Sequence, residues 1–189
     1  MARKKKDRVG SETQEDRKRA TNSITGSGIK VYNKVLAPGT HKVKTRIPIY
    51  GRILDSNEIT DYMSNHDIPN TIIMRDQITT VYPNNPYILN LDTSDGSGTH
   101  WTTFMLSKKT IQYFDSFGMP PPQELVDYAS KHKLAIKYNQ QQYQNVSSVA
   151  CGYFAMYVAK SMYEKTYPSS LDILKPNADN DKILYKQFN

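Results

Sequence analysis

The chain has 189 residues, and its content of 38% hydrophobic and 11% aromatic residues suffices for one globular domain with its own core. The single cysteine excludes an internal disulfide framework and a cysteine-rich zinc site, and it predicts a reducing compartment. We expect no secretory signal and no membrane span, because no apolar run approaches the roughly 20 residues that a spanning helix needs. The net charge of +7 is compatible with an anionic partner.

Residues 1–27 differ in composition from the rest of the chain. They hold eight Lys or Arg and four Asp or Glu, no aromatic residue, and only Val9 and Ile24 as β-branched aliphatics. Such a segment cannot bury enough apolar surface to fold alone, so we predict a disordered basic tail, with the folded domain over residues 28–189 and its first ordered residues near Ile29. The tail can contact nucleic-acid phosphates, serve as a nuclear-import signal, or simply solubilise the protein.

The remaining elements alternate between helical and extended patterns. Ser56 is the predicted cap of a helix over residues 54–67, and a short apolar run follows Pro69. Strands are predicted over residues 87–91, 101–106 and 110–115, a helix over 123–133, a strand over 134–138 and a long apolar helix over 152–164. We therefore expect an α+β fold with a central mixed sheet packed by helices.

The second and third of those strands predict a hairpin, because only Ser107, Lys108 and Lys109 separate them. If directly opposed residues have numbers that add to 215, His100 lies opposite Asp115 at the open end of the ladder. A carboxylate beside an imidazole fixes its tautomer and stabilises the imidazolium. One His near one Asp is also a common structural pair, and a slip of one residue would separate the two side chains.

Cys151 stands at the entrance to the apolar helix. Exposed N–H groups and the helix dipole stabilise a thiolate there, and a nearby imidazolium adds to the effect. Gly152 allows a substrate to approach the backbone, and the amide of Cys151 together with the side chain of Gln144 can donate to an oxyanion. Alternatively, Cys151 is a small buried hydrophobe and Gln144 one amide of a Gln-rich loop.

Four motifs in order, "GTHW", "YFDSFG", a glutamine and "CG" seven residues after it, resemble the adenovirus-type maturation cysteine proteases. These are relatives of the proteases that cut SUMO and other ubiquitin-like proteins, and the likeness is greatest to protease-like proteins of virophages and Polinton-type elements. It extends over about residues 51–163 and implies a papain-like or adenain-like fold. It implies roles for four residues: Cys151 as nucleophile, His100 as general base and acid, Asp115 as the carboxylate that orients His100, and Gln144 as an oxyanion donor. Asp115 stands where adenoviral enzymes usually carry Glu, and Trp101 resembles the aromatic residue that follows the family's histidine.

The resemblance also implies a substrate class. Adenovirus-type enzymes cut after Gly-x or Gly-Gly pairs, so "ITGSG" at residues 24–28 predicts self-cleavage between Ser27 and Gly28, although the segment can equally be a flexible linker. The implied partners are capsid or core precursors, with DNA as a possible ligand of the tail, in the virion or in the host cytoplasm or nucleus. We expect no metal, because His41, His66 and His132 lie apart from any acidic or cysteine cluster. We expect no cofactor, because a disulfide-linked peptide activator would need a second cysteine.

Two other functions fit parts of the sequence. One is a protease that removes ubiquitin-like modifiers after a terminal Gly-Gly pair. The other is a non-catalytic virion protein that binds nucleic acid through the basic tail, for which no arrangement of His, Asp, Gln and Cys is needed.

Overall fold

A computed structural model describes residues 52–188 of the chain. The predicted tail, the predicted start of folding near Ile29 and the Ser27–Gly28 bond lie outside these residues. The described helices are α1 (Ser56–Asn65), α2 (Gln123–Lys131), α3 (Cys151–Tyr163) and α4 (Asp181–Gln187). The strands are β1 (Thr71–Met74), β2 (Pro86–Asn90), β3 (Trp101–Ser107), β4 (Thr110–Phe114) and β5 (Ala135–Tyr138), and short 3-10 helices span Arg75–Gln77 and Ser169–Ile173.

The first helix begins one residue earlier than its predicted cap implies. Asp55, not Ser56, is the N-cap: its side chain accepts hydrogen bonds from the N–H groups of Asn57 and Glu58. Glu58 in turn accepts from the N–H of Asp55 at 3.0 Å and closes a capping box. The carboxylate of Asp55 reaches the free N–H groups of the first turn, so the serine is left as the first helical residue.

The five strands form one mixed sheet in the order β1-β2-β3-β4-β5. The central pairs, β2 with β3 and β3 with β4, are antiparallel. The outer pairs, β1 with β2 and β4 with β5, are parallel. The predicted α+β class with a central mixed sheet is thereby confirmed.

The β3–β4 hairpin is present, but its predicted register is wrong by two residues. Phe104 lies opposite Tyr113, and Ser107 opposite Thr110, so the turn consists of Lys108 and Lys109 alone. Lys108 has φ +55°, the left-handed conformation that a tight two-residue turn requires even without glycine. A shift of two residues leaves every ladder side chain on its predicted face, because side chains alternate with period two.

The sheet is covered on both faces, and each face has its own core. On one side, Ile88, Met105 and Phe114 pack with residues of α1, α3 and α4. On the other side, Leu89, Phe104 and Tyr113 pack against α2. These strand residues alternate between the two cores, as the pleat of a sheet dictates.

Helix α3 is the most deeply buried helix of the described chain. Ten of its residues are buried, and the helix packs across β2 and β3. Its apolar composition therefore reflects a position in the core, with Cys151 at the end of a helix that packs on the sheet. No helix among residues 52–188 is long and apolar enough to cross a membrane.

Candidate active site

The N-terminus of α3 places Cys151 at the edge of the hydrophobic core, where part of the residue reaches solvent. The helix begins at Cys151 itself, and 8% of this residue remains exposed to solvent. Gly152 is buried, and a Cβ added to it would lie 3.1 Å from the Cβ of Leu54. Close packing of Leu54 on the helix thus favours glycine here, a reason that the sequence did not indicate.

His100 is held directly before β3. Its carbonyl accepts a hydrogen bond from the N–H of Leu91 at 2.9 Å, one step beyond the last ladder pair. The buried Asn90 organises the loop that precedes His100, because Oδ1 of Asn90 accepts hydrogen bonds from the N–H groups of Asp92 and Thr99. The ring of Phe117 lies 5.0 Å from the imidazole, centroid to centroid. The histidine is therefore oriented from both its backbone and its ring.

The Asp115 carboxylate contacts that imidazole directly. Its Oδ2 lies 3.2 Å from Nε2 of His100, and its Oδ1 accepts the N–H of Phe117 at 2.6 Å. The side chain of Asp115 is 1% exposed. Because Nε2 is occupied by Asp115, Nδ1 is the ring nitrogen that remains for Cys151. The predicted proximity of His100 and Asp115 is thus found, although neither residue belongs to a ladder pair.

Asn139 holds the main chain of Asp115 on both sides. Its Oδ1 accepts the N–H of Asp115 at 2.9 Å, and its Nδ2 donates to the carbonyl of Asp115 at 2.6 Å. The side-chain amide continues the β4–β5 pairing by one step after the strands end. Sequence reasoning missed this residue, and only its place directly after β5 could have indicated it.

A tight turn at Gly118 completes this support. The N–H of Gly118 donates to the carbonyl of Asp115 at 2.9 Å, and the glycine has φ +74°. A Cβ there would lie 2.9 Å from the backbone of Gln141. Only glycine meets both conditions, so the glycine of "YFDSFG" shapes the loop that carries the acid.

The charges of the pair favour a thiolate and an imidazolium. Burial alone lowers the pKa of His100, but the hydrogen bonds to Asp115 and Cys151 outweigh it and raise the pKa to about 9. For Cys151, burial has the opposite effect and raises the pKa of the thiol. The hydrogen bonds with His100 and with the backbone N–H groups of Trp101 and Gly152 outweigh burial, so the pKa of Cys151 is lowered overall. A thiol with a lowered pKa next to a protonated imidazole is a nucleophile near neutral pH.

Gln144 is buried in the loop before α3, with 1% of the residue exposed. Its Oε1 accepts a hydrogen bond from Oγ of Ser116 at 2.6 Å, and its Nε2 donates to the carbonyl of Ser148 at 2.9 Å. Nε2 has two N–H groups, and the carbonyl of Ser148 is its one acceptor among residues 52–188. Ser116 was not recognised from the sequence as part of the site.

Trp101 links the site to the segment before α1. Its indole Nε1 donates to the carbonyl of Leu54 at 2.9 Å, and its backbone N–H donates to the thiol of Cys151. The structure therefore places Trp101 against Cys151 as well as next to His100. Leu54 packs on Gly152, so Trp101, Leu54, Cys151 and Gly152 form one packed unit.

The fold brings His100, Asp115 and Cys151 together, and the loop that carries Gln144 lies against Ser116, next to Asp115. Within the described range, no group of three or more His, Cys, Asp or Glu side chains is arranged to hold a metal ion. His66 and His132 stack on Tyr62 and Tyr128 and take no part in the site.

No protein-family model matches the chain, and no curated protein sequence matches it. Among solved structures, the ASFV pS273R protease is similar over 56% of this chain and 44% of its own, with 19% identity and a TM-score of 0.38. A second structure of that protease shows 16% identity over 56% of this chain and 43% of its own, also with a TM-score of 0.38. The C-terminal Ulp1 protease domain, in complex with Smt3, the yeast ortholog of SUMO, is similar over 70% of this chain and 59% of its own, with 18% identity and a TM-score of 0.30. The chain therefore spans less than two thirds of each of these solved chains, and likenesses of this size do not by themselves establish a family.

Proposed function

We propose that the chain is a cysteine endopeptidase. The observation that carries the proposal is the contact of His100 with Asp115 on one side and with Cys151, at the N-terminus of a buried helix, on the other. A purely structural Cys would need neither a buried carboxylate aligned on its neighbouring imidazole nor a lowered thiol pKa. The motif order His, Asp, Gln, Cys supports the same conclusion.

In the first half of the reaction, the Cys151 thiolate attacks the carbonyl carbon of the scissile peptide bond. The electron pair of the carbonyl moves to oxygen, and the resulting oxyanion accepts hydrogen bonds from the N–H of Cys151 and from Nε2 of Gln144. Collapse of this intermediate breaks the C–N bond. The imidazolium of His100 gives its Nδ1 proton to the leaving amine, and a thioester remains on Cys151.

In the second half, the neutral imidazole of His100 accepts a proton from water as the water attacks the thioester. Loss of the sulfur leaving group releases the carboxylic acid product and restores the thiolate and the imidazolium. Asp115 holds Nε2 of His100 through both halves, and its negative charge stabilises the imidazolium whenever that form is present.

We propose viral capsid or core precursor polypeptides as substrates, cut after Gly-x or Gly-Gly pairs, in the virion or the infected host cell. This step rests on the motif resemblance. A narrow cleft accepts glycine where a side chain would clash, which fits extended small-residue substrates. The basic composition of residues 1–27 supports a further role of this segment in binding DNA.

The test is cleavage by the purified full chain of peptides ending in a coumarin amide, with Ile-Thr-Gly-Ser and Ile-Thr-Gly-Gly as the acyl parts. We expect turnover that iodoacetamide abolishes and that Cys151→Ala lacks. A panel of ubiquitin-like modifiers extended at the C-terminus runs in parallel, and selective cleavage of the panel would favour a deconjugating protease. Undiminished hydrolysis by Cys151→Ala would contradict the proposal.

Self-processing is tested separately on the chain itself. We propose cleavage between Ser27 and Gly28, because residues 24–28 have the sequence Ile-Thr-Gly-Ser-Gly. Intact-mass spectrometry of the active protein and of Cys151→Ala after the same incubation gives the answer. An unprocessed N-terminus in protein that cleaves the coumarin peptides would count against self-processing and leave the peptidase proposal standing.

A further inference from the structure

The residue directly after Asp115 carries a hydroxyl that the proposed chemistry does not use. Ser116 is 1% exposed, and its Oγ lies 2.6 Å from Oε1 of Gln144. We propose that Ser116 is a positioning residue that fixes the amide of Gln144 with Nε2 as the donor to the oxyanion. This inference rests on the proposed function and concerns how its oxyanion donor is held.

The orientation of the Gln144 amide follows from the chemistry of its two partners. The carbonyl of Ser148 can only accept, so the amide atom 2.9 Å from it must be nitrogen. A rotation of the amide by half a turn would place two acceptor oxygens against each other. The hydroxyl of Ser116 can donate, so it is matched to Oε1. Both contacts favour the same orientation.

The hydroxyl also acts on the strength of the donor. A buried Oε1 without a partner is costly, and a hydrogen bond accepted by an amide oxygen polarises the amide and strengthens its N–H donors. With Ser116 in place, Gln144 does not need water to satisfy its oxygen. The amide can therefore stay fixed when a substrate enters, which is the condition for oxyanion stabilisation without reorganisation.

The backbone of Ser116 holds the same loop. Its carbonyl accepts from the N–H groups of Tyr143 and Gln144 at 2.8 and 2.9 Å. Ser116 thus anchors both the main chain and the side chain of Gln144, while the neighbouring Asp115 orients His100. Two adjacent residues of β4's C-terminal turn thereby support the two sides of the site, the proton-transfer side and the oxyanion side.

The experiment is a double-mutant cycle on kcat with the Ile-Thr-Gly-Gly coumarin peptide, using Ser116→Ala, Gln144→Ala and the double variant in the full chain. Loss of the Gln144 amide is expected to lower kcat by about 10² to 10³, and loss of the Ser116 hydroxyl by about tenfold with KM nearly unchanged. In the Gln144→Ala background, Ser116→Ala should cost nothing further. Ser161→Ala is the matched control, because it removes a buried hydroxyl, bonded to the Val158 carbonyl, from the far part of α3.

A second readout separates positioning from general damage. Alkylation of Cys151 by iodoacetamide needs the thiolate and no oxyanion donor, so Ser116→Ala should keep the wild-type alkylation rate while its turnover falls. Should Ser116→Ala not fold, Ser116→Cys replaces it in the turnover measurement, since a thiol is a weak donor of similar shape.

The outcomes are distinct for the two ideas. Equal losses of kcat from Ser116→Ala in both backgrounds, or no loss in an active enzyme, would overturn the positioning role alone. Slower alkylation in step with slower turnover would also overturn it, because it would indicate damage to the Cys151–His100 pair. Absence of any Cys151-dependent turnover by the wild-type chain would overturn the proposed function, and the positioning role with it.

Discussion

The imidazole of His100 and the carboxylate of Asp115 meet at 3.2 Å although both residues lie beyond the last pair of the β3–β4 ladder. Two loops at the open end of the hairpin position them. Asn90 bonds the backbone of the loop before β3, and Asn139 bonds the backbone of the loop after β4. The position of the His100 imidazole against Asp115 therefore depends on two side-chain amides that bond the backbone of these loops.

The first prediction concerns the pH dependence of kcat/KM. The active form carries a proton on His100 and none on Cys151, so activity is lost when His100 deprotonates as pH rises through its pKa of about 9. On the acid side, activity is lost when the thiolate is protonated, at a pH below the ordinary thiol range because the pKa of Cys151 is lowered. A profile measured from about pH 5 to about pH 10 should be bell-shaped.

Asp115→Asn provides the control for that profile. Without the carboxylate the pKa of His100 should fall, because the hydrogen bond and the charge of Asp115 contribute to its rise. The alkaline limb should then move to lower pH. An unchanged alkaline limb in this variant would show that His100 does not set it.

The second prediction concerns the reactivity of the thiol. In His100→Ala the hydrogen bond that lowers the pKa of Cys151 is lost, and burial, which raises it, remains. Iodoacetamide alkylation at neutral pH should slow by about tenfold or more, because less of the thiol is ionised. The matched control is His132→Ala, since that exposed ring stacks on Tyr128 at 4.3 Å outside the site. Equal rates in the two variants would contradict the pairing of His100 with Cys151.

The third prediction concerns Asn139. Asn139→Ala removes both hydrogen bonds to the backbone of Asp115 and should lower the free energy of unfolding by about 1–3 kcal/mol. Asn139→Ala should also move the alkaline limb of the pH profile to lower pH, because Asp115 is no longer held against His100.

Urea denaturation and the pH profile check these two effects of Asn139→Ala. Asn145→Ala serves as control, because Asn145 is exposed and its side chain bonds Ser147, so its effect should stay within about 0.5 kcal/mol. Similar stability losses in the two variants would rule out a special role of Asn139.

The fourth prediction concerns the packing beneath Cys151. Gly152→Ala gains about 1 kcal/mol from helix propensity, but its Cβ would lie 3.1 Å from the Cβ of the buried Leu54, and overpacking costs about 1–3 kcal/mol. We expect a net loss of unfolding free energy in urea denaturation. Adding Leu54→Gly removes the Leu54 Cβ, Cδ1 and Cγ atoms that lie 3.1, 3.3 and 3.5 Å from the new methyl, so the double variant should lose less than the sum of the single losses. Strict additivity would contradict the close contact.

The elements were predictable because their signals are local. The apolar run after Cys151 predicts a buried helix, and the short separation of β3 and β4 predicts a hairpin whose faces are correct. The hairpin register was not predictable from the same signals. Lys108 adopts the left-handed conformation of a tight turn without being a glycine, so the sequence carries no mark of where the chain reverses.

By itself, the sequence determined the α+β class and the position of Cys151 at a helix start, and it predicted which side chains can act on the thiol. These properties depend on periodicity and on residue chemistry, and both can be recognised within short stretches of the sequence. Only the tertiary structure decided that Gly152 packs on Leu54, that Asn139 holds Asp115, and that Ser116 bonds Gln144 across 28 residues of chain. Such contacts join residues that are distant in sequence, and their geometry depends on how the sheet and its loops pack as a whole.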